Sequence, residues 1–265
     1  MTQKKATIKD VAKAAGVSVA TVSYVVNNRT DLKISDETKK KVLQVCNLLN
    51  YTPNQAAKAL ATNRRHMLGF AYEKTDSLLL KSQQLYLLES LISFFREKGY
   101  ELLLVDADLA DKYDQVDAII CYGLSSKHFH DLGDKNYSPL IAIDSYINDD
   151  LFFQINTNLE NLKKESVNHF GNNNFLYLLL EPQNNELKDA ILNTFDNIMY
   201  YDSSINISSL SNRNILLTDY ALYKKIGDNN TYYVPSFNNL KFIKLYESIE
   251  SALSRDSAAL HQIYI

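Results

Sequence analysis

The tripeptide Gly16-Val17-Ser18 interrupts two short helical patterns, and that break restricts the fold of residues 1–50 more than any other feature. Before it, Thr7-Ile8-Lys9-Asp10 has the form of a capping box, with Thr7 as N-cap and Asp10 reaching back from the third helical position. Ile8, Val11, Ala12 and Ala15 then recur at i, i+3, i+4 and i+7, which places them on one apolar stripe. Gly16 ends this helix, Val17 fills the turn, and Ser18 caps a second helix with Val22, Val25 and Val26 as its buried stripe. Helices this short need a third to cover them. It begins at Ser35, carries Asp36 and Glu37 where the helix dipole favours anions, and offers Val42, Val45, Cys46 and Leu49 to the other two. Two short helices joined by a Gly-containing turn form a helix-turn-helix.

The outward face of the second helix is then Val19, Ala20, Ser23, Tyr24 and Asn27, with no charged side chain. Small residues let a helix backbone sink into a DNA major groove, Ala or Val can touch a thymine methyl, and Tyr24 can make one hydrogen bond. Affinity for a polyanion must come from elsewhere. Residues 1–66 hold 12 Lys and Arg against 4 Asp and Glu, whereas the remainder holds 16 against 27, so the net charge of −3 conceals a basic head on an acidic body. Thr7, Ser18, Thr21, Arg29, Lys33 and the end of the third helix are candidates for phosphate contact.

Residues 51–66 hold another capping box, Thr52-Pro53-Asn54-Gln55, ahead of Gln55-Ala56-Ala57-Lys58-Ala59-Leu60-Ala61. That run is a good helix former but too short to be stable alone. Leu60 is its one large apolar side chain. It suits a wedge inserted between base pairs in the minor groove, and equally a linker helix packed on its neighbours.

Together, "ATIKDVAKAAGVSVATVSYVVNN", "ISDETKKKV" and "NYTPNQAAKAL" resemble the DNA-binding head and hinge of the LacI/GalR family of bacterial transcriptional repressors across nearly all of residues 6–62. The resemblance implies a homodimer, or a pair of dimers, on a palindromic operator in double-stranded DNA. It assigns base reading to Val19, Ala20 and Tyr24, with Ser23 and Asn27 beside them. Backbone contacts fall to Ser18, Lys33, Ser35, Thr38 and Asn54, and Leu60 becomes the minor-groove wedge with Ala57 and Lys58 at its flank. Many members carry Arg at the Tyr24 position, so the half-site here is expected to differ from theirs.

Residues 67–265 alternate apolar strands with helical runs. "MLGFAY", "YELLLVDA", "VDAIICYG" and "PLIAIDSY" read as strands, with a helix over 78–98, and "FLYLLL" and "NILLTD" continue the alternation ahead of a final helix over 239–253. The expected fold is an all-α helix-turn-helix head (1–50), a hinge helix and linker (51–66), and an α/β body (67–265). The body is expected to be a doubly wound parallel sheet in a two-lobed, periplasmic-binding-protein-like arrangement with a reduced second lobe. "VDAII" and "IAID" match the family's effector domain, but the remainder departs from it. Thr157-Asn158 stands where members have Asp-Asn, and "LTDYA" is one residue short of the second-lobe motif. The strand ending in Gly-Phe-Asp-Asp is absent, "LADKYDQVD" is too short for the usual helix, and "HQIYI" stands where members add a closing strand. Asp144, Asn158 and Asp219 remain as candidate contacts to a small, sugar-like effector, with no Trp for stacking but 18 Tyr.

His128-Phe129-His130 lacks further ligand-spaced residues and reads as a solvent-facing loop, so no metal is expected. Cys46 and Cys121 are far apart, and no GxSxG, Walker or GxGxxG pattern occurs, so neither an enzyme nor a cofactor is expected. No apolar run spans a bilayer and no signal sequence opens the chain, which points to the bacterial cytoplasm and nucleoid, away from membranes. Three readings stay open: a repressor with a small-molecule effector, the same regulator with a ligand-free dimerisation body, and a soluble ligand-binding protein with a vestigial head.

Overall fold

The computed structural model describes residues 6–27, 33–52, 64–109, 111–210, 212–227 and 230–265. The chain divides into two compact units, Met1–Arg64 and Arg65–Ile265. In the first, α1 (Ile8–Ala15) opens with both halves of the capping box in place. The N–H of Thr7 donates to Asp10 at 2.9 Å, and the N–H of Asp10 donates to the Thr7 hydroxyl at 3.4 Å. Gly16 takes the left-handed conformation (φ +67°) that ends the helix, a geometry costly for a residue with a Cβ. Helix α2 (Val19–Val26) follows at once, and α3 (Asp36–Leu48) starts at Ser35. Val11, Ala12, Ala15, Val22, Val42 and Cys46 are the buried core, with Ile8, Val25, Val26, Val45 and Tyr51 packed on it. Leu49 departs from expectation: it is exposed. The chain leaves α3 through Asn50 at φ +48°, and Tyr51 N–H bonds the Cys46 carbonyl at 2.8 Å, so Tyr51 closes the core in its place.

In the second unit, β1 (Met67–Tyr72), α4 (Leu78–Glu97), β2 (Glu101–Asp106), β3 (Ala118–Tyr122), α5 (Ser126–Gly133), β4 (Leu140–Ile143) and β5 (Phe153–Asn156) build a first lobe. Its parallel sheet has the order β2-β1-β3-β4-β5, and β10 (Gln262–Tyr264) pairs parallel with β5 at the edge. Both faces of the sheet are covered, which is why β3 and β4 read as unbroken apolar runs. β10 is made by "HQIYI" itself, so a closing strand is present. Between β2 and β3 the described residues form turns and no helix, as the shortness of that segment predicted.

Gly69 lies in β1, between β2 and β3. A Cβ there would sit 2.9 Å from Val105 Cγ2 and 3.2 Å from Ile119 Cγ1. Gly69→Val is expected to destabilise the body by about 1–3 kcal/mol through overpacking, read as a lower urea midpoint of the full chain. An unchanged midpoint would show that the sheet yields freely at this point.

The chain then enters a second lobe, with α6 (Leu159–Phe170), β6 (Leu176–Leu179), α7 (Asn185–Thr194), β7 (Ile198–Tyr200), β8 (Ile215–Leu217), α8 (Tyr220–Ile226) and β9 (Thr231–Tyr233). Its parallel sheet, β7-β6-β8-β9, is small, and three of its strands have only three residues. A strand does precede the final helix here, β9, paired with β8, although it lacks the Gly-Phe-Asp-Asp ending. The chain returns to the first lobe through α9 (Asn239–Ser254), whose Leu245 and Ile249 join that lobe's core.

Candidate DNA-reading face and interlobe cleft

Three helix starts shape the head's polar surface. At α2 the Ser18 hydroxyl accepts the Thr21 N–H at 3.0 Å and lies 2.8 Å from the Thr21 hydroxyl. Ser35 and Thr38 repeat the arrangement at α3, at 3.2 and 2.8 Å. Their electrostatics differ. Asp10 sits in the first turn of α1, and Asp36 and Glu37 in that of α3, but α2 has no acid there. The positive end of α2 is thus the one left for an anion. Val19 and Ala20 are exposed beside it, and Ser23 and Tyr24 are half-buried on the same helix. Asn27 turns its amide back along α2 and donates to the Ser23 carbonyl at 2.7 Å. Lys33 is exposed, and Thr7 gives its hydroxyl proton to Asp10 at 2.7 Å. Arg29, Asn54, Ala57, Lys58 and Leu60 lie outside the described residues.

In the body, a cavity of about 90 Å³ lies between the two lobes. Asp144 and Tyr122 reach it from the first lobe, Tyr177, Thr218 and Asp219 from the second, and Thr157 and Ser236 from the two crossings. Asp144 follows β4 with φ +46°, and its carboxylate accepts the Lys241 ammonium at 2.6 Å and the Thr157 hydroxyl at 3.3 Å. Lys241 also donates to Thr157 Oγ1 at 3.0 Å and to the Ser236 carbonyl at 2.9 Å. Asp219 accepts the Leu180 N–H at 2.8 Å. Burial raises its carboxyl to about 7; that hydrogen bond opposes the shift, and the charge of Asp144 adds to it. Burial likewise pushes the Tyr122 and Tyr177 phenols up, and Tyr177 shares a 3.0 Å hydrogen bond with Thr218.

The profile described as "Bacterial regulatory proteins, lacI family" matches residues 7–54. The probable HTH-type transcriptional repressor ExuR of Bacillus subtilis (strain 168) is 31% identical over 174 residues, 62% of this chain and 50% of ExuR. The HTH-type transcriptional regulator MalR of Streptococcus pneumoniae (strain ATCC BAA-334 / TIGR4) is 51% identical over 63 residues, 24% of this chain and 19% of MalR. Residues 7–54 thus carry the DNA-binding region of the lacI family. The chain spans about half the length of ExuR. A lac repressor dimer, solved bound to operator and the anti-inducer ONPF, shares the fold with a TM-score of 0.56 at 17% identity, covering 98% of this chain and 96% of that one.

Against the family resemblance, Asp144 and Asp219 do face the cleft from opposite lobes, but Asn158 does not line it. Its side chain accepts the Asn161 N–H at 3.0 Å as the N-cap of α6, and the residue lines an adjoining opening with Thr157, Ser236 and Lys241, while Thr157 lines the cavity itself. Lys241 escaped the sequence reading, because a Lys in an amphipathic helix reads as solvated. The His128-Phe129-His130 segment is also corrected. It belongs to α5, and His128 Nδ1 lies 2.7 Å from buried Glu73, which also accepts the Ser125 N–H at 2.7 Å. Glu73, Asp108 and His128 bring ligand atoms within 4.8 Å of one another. Glu73 is thus paired at the start of α5, and Lys74 holds Asp108 at 2.9 Å.

Proposed function

We propose that this chain is a transcriptional regulator of the LacI family, in the first instance a repressor, that binds a palindromic operator in double-stranded DNA as a homodimer. One observation carries the reading: α2 exposes an uncharged face of small residues beside a helix start free of acidic side chains. Phosphate anchored at Ser18 and Thr21 would set the register, and Val19, Ala20, Ser23, Tyr24 and Asn27 would meet base edges. Ser35, Thr38, Lys33 and Arg29 would hold the flanking backbone, and Thr7 has a weaker claim beside Asp10. Asn54, Ala57, Lys58 and Leu60 would serve the minor groove at the operator's centre. Such a regulator works on the nucleoid in the bacterial cytoplasm; among the described residues no helix is long and apolar enough to cross a membrane.

Two readings of the body divide on the cleft. A sugar-like effector would meet Asp144 and Asp219. A body that pairs the heads without any effector is favoured by the size of the cavity, about 90 Å³, against roughly 300–1,000 Å³ for ordinary ligand pockets.

Selection of binders from random duplex DNA tests the regulator. An enriched palindrome centred on a flexible pyrimidine–purine step is expected. General, salt-sensitive binding without enrichment would overturn the reading. In the same selection, Tyr24→Arg is expected to shift one half-site position toward guanine, with roughly 1–3 kcal/mol of discrimination. An unchanged preference would restrict Tyr24 to the backbone.

A further inference from the structure

We propose that Lys241 is a tethered ligand: its ammonium fills a seat for a primary amine at the hinge of the two lobes and latches them closed, so the cleft admits no sugar-sized effector. The inference rests on the two-lobed regulator body described above. The seat has the stoichiometry of an ammonium group. Three N–H donors of Lys241 meet three acceptors, the Asp144 carboxylate, Thr157 Oγ1 and the Ser236 carbonyl, at 2.6, 3.0 and 2.9 Å. These come from the end of β4, the first crossing and the second, the segments that must move relative to one another if the lobes part. The Lys241 residue is 1% exposed, and its ammonium stands 5.2 Å from the Phe237 ring centroid.

The lobes also meet directly. Gln83 on α4, 1% exposed, accepts the Ala221 N–H of α8 at 3.0 Å, and Tyr86 stacks on Tyr220 with centroids 3.9 Å apart. Asn184, at the start of α7, donates to the carbonyls of Leu124 and Tyr146 in the first lobe at 2.9 and 3.2 Å. In a ligand-closed protein the ligand supplies the interaction that favours the closed state. Here the chain's own groups supply it. Asp144, the residue best placed to grip a sugar hydroxyl, is already held by Lys241.

The test uses the full chain carrying Lys241→Ala, which removes three carbons and the ammonium and so leaves the shape of propylamine. Breaking a buried, hydrogen-bonded ion pair in a body this size is expected to lower Tm by roughly 10 °C. Tens of millimolar propylamine should restore several degrees to the variant and none to the wild type; propanol and tetramethylammonium should restore neither. Lys241→Met, which fills the space without the charge, should also be less stable than wild type and unresponsive to propylamine. If Lys241→Ala is recovered only as aggregate, propylamine added during refolding should raise its soluble yield. Absence of amine rescue would overturn the seat. A mono- or disaccharide that stabilises the wild type, or releases it from its selected operator, would overturn the closed cleft. The operator selection is independent: its failure would remove the regulator, whereas an operator without amine rescue would remove only the latch.

Discussion

Asn184→Ala is expected to destabilise the body by roughly 3 kcal/mol, a fall in Tm of about 6–12 °C for a domain of this size. Asn184 is fully buried, and all of its polar capacity is in use. Its Oδ1 accepts the Leu187 N–H at 2.8 Å, capping α7, and the Tyr146 N–H at 3.1 Å; its Nδ2 donates to the carbonyls of Leu124 and Tyr146. Loss of the cap costs about 1 kcal/mol. The rest comes from Tyr146, whose N–H and C=O lose these partners in a place that water reaches poorly. Leu124 suffers less, since its carbonyl also accepts the Ser145 hydroxyl at 2.8 Å. Asn184→Ser separates the two contributions: a serine can cap α7 but is too short to reach both carbonyls, so it should recover about 1 kcal/mol only. Paired urea titrations of the three proteins check this. Equal midpoints for Asn184→Ala and wild type would mean that the lobes do not rely on this contact.

The head was legible because each of its turning points is a local device. Thr7, Gly16, Ser18 and Ser35 act on backbone groups within a few residues, so their spacing alone states where helices start and stop. Most inner strands were legible for a different reason: a parallel sheet covered on both faces demands continuous apolar runs, as in Ala118–Tyr122 and Leu140–Ile143. The inner strand Phe153–Asn156, with Gln154 and Asn156 in it, offers no such run. Two short edge strands were not legible, although the longer edge strand Glu101–Asp106 was. Thr231–Tyr233 and Gln262–Tyr264 are strands because β8 and β5 lie beside them, and no three-residue stretch announces that. The cleft was legible by halves. Asp144 and Asp219 were found from motif remnants, while Thr157 lines the cavity in place of Asn158, the N-cap of α6, a shift of one residue that a motif cannot resolve. Lys241 meets Asp144 across 97 residues of chain, and only the fold brings them together.

Asp219 gives the body a pH dependence of predictable sign. An ordinary aspartate titrates near 3.8, but burial in the cleft raises this one to about 7, against the pull of the Leu180 N–H and with the help of the Asp144 charge. Well below pH 4 the group is protonated whether the chain is folded or not, and it contributes nothing to the difference. Between about 4 and 7 the unfolded chain releases the proton while the folded body keeps it, so stability falls as pH rises. Above 7 the penalty is complete and constant. Asp219→Asn keeps an oxygen to accept the Leu180 N–H and has no charge to bury. It should match wild type at pH 3 and exceed it at pH 8 by roughly 2 kcal/mol, a figure reduced from the full shift because the side chain retains some contact with water. Urea titrations at those two values avoid the isoelectric region near 6.0, where association would interfere. A stability difference of the same size at both would assign the effect to packing and remove the buried charge as its cause.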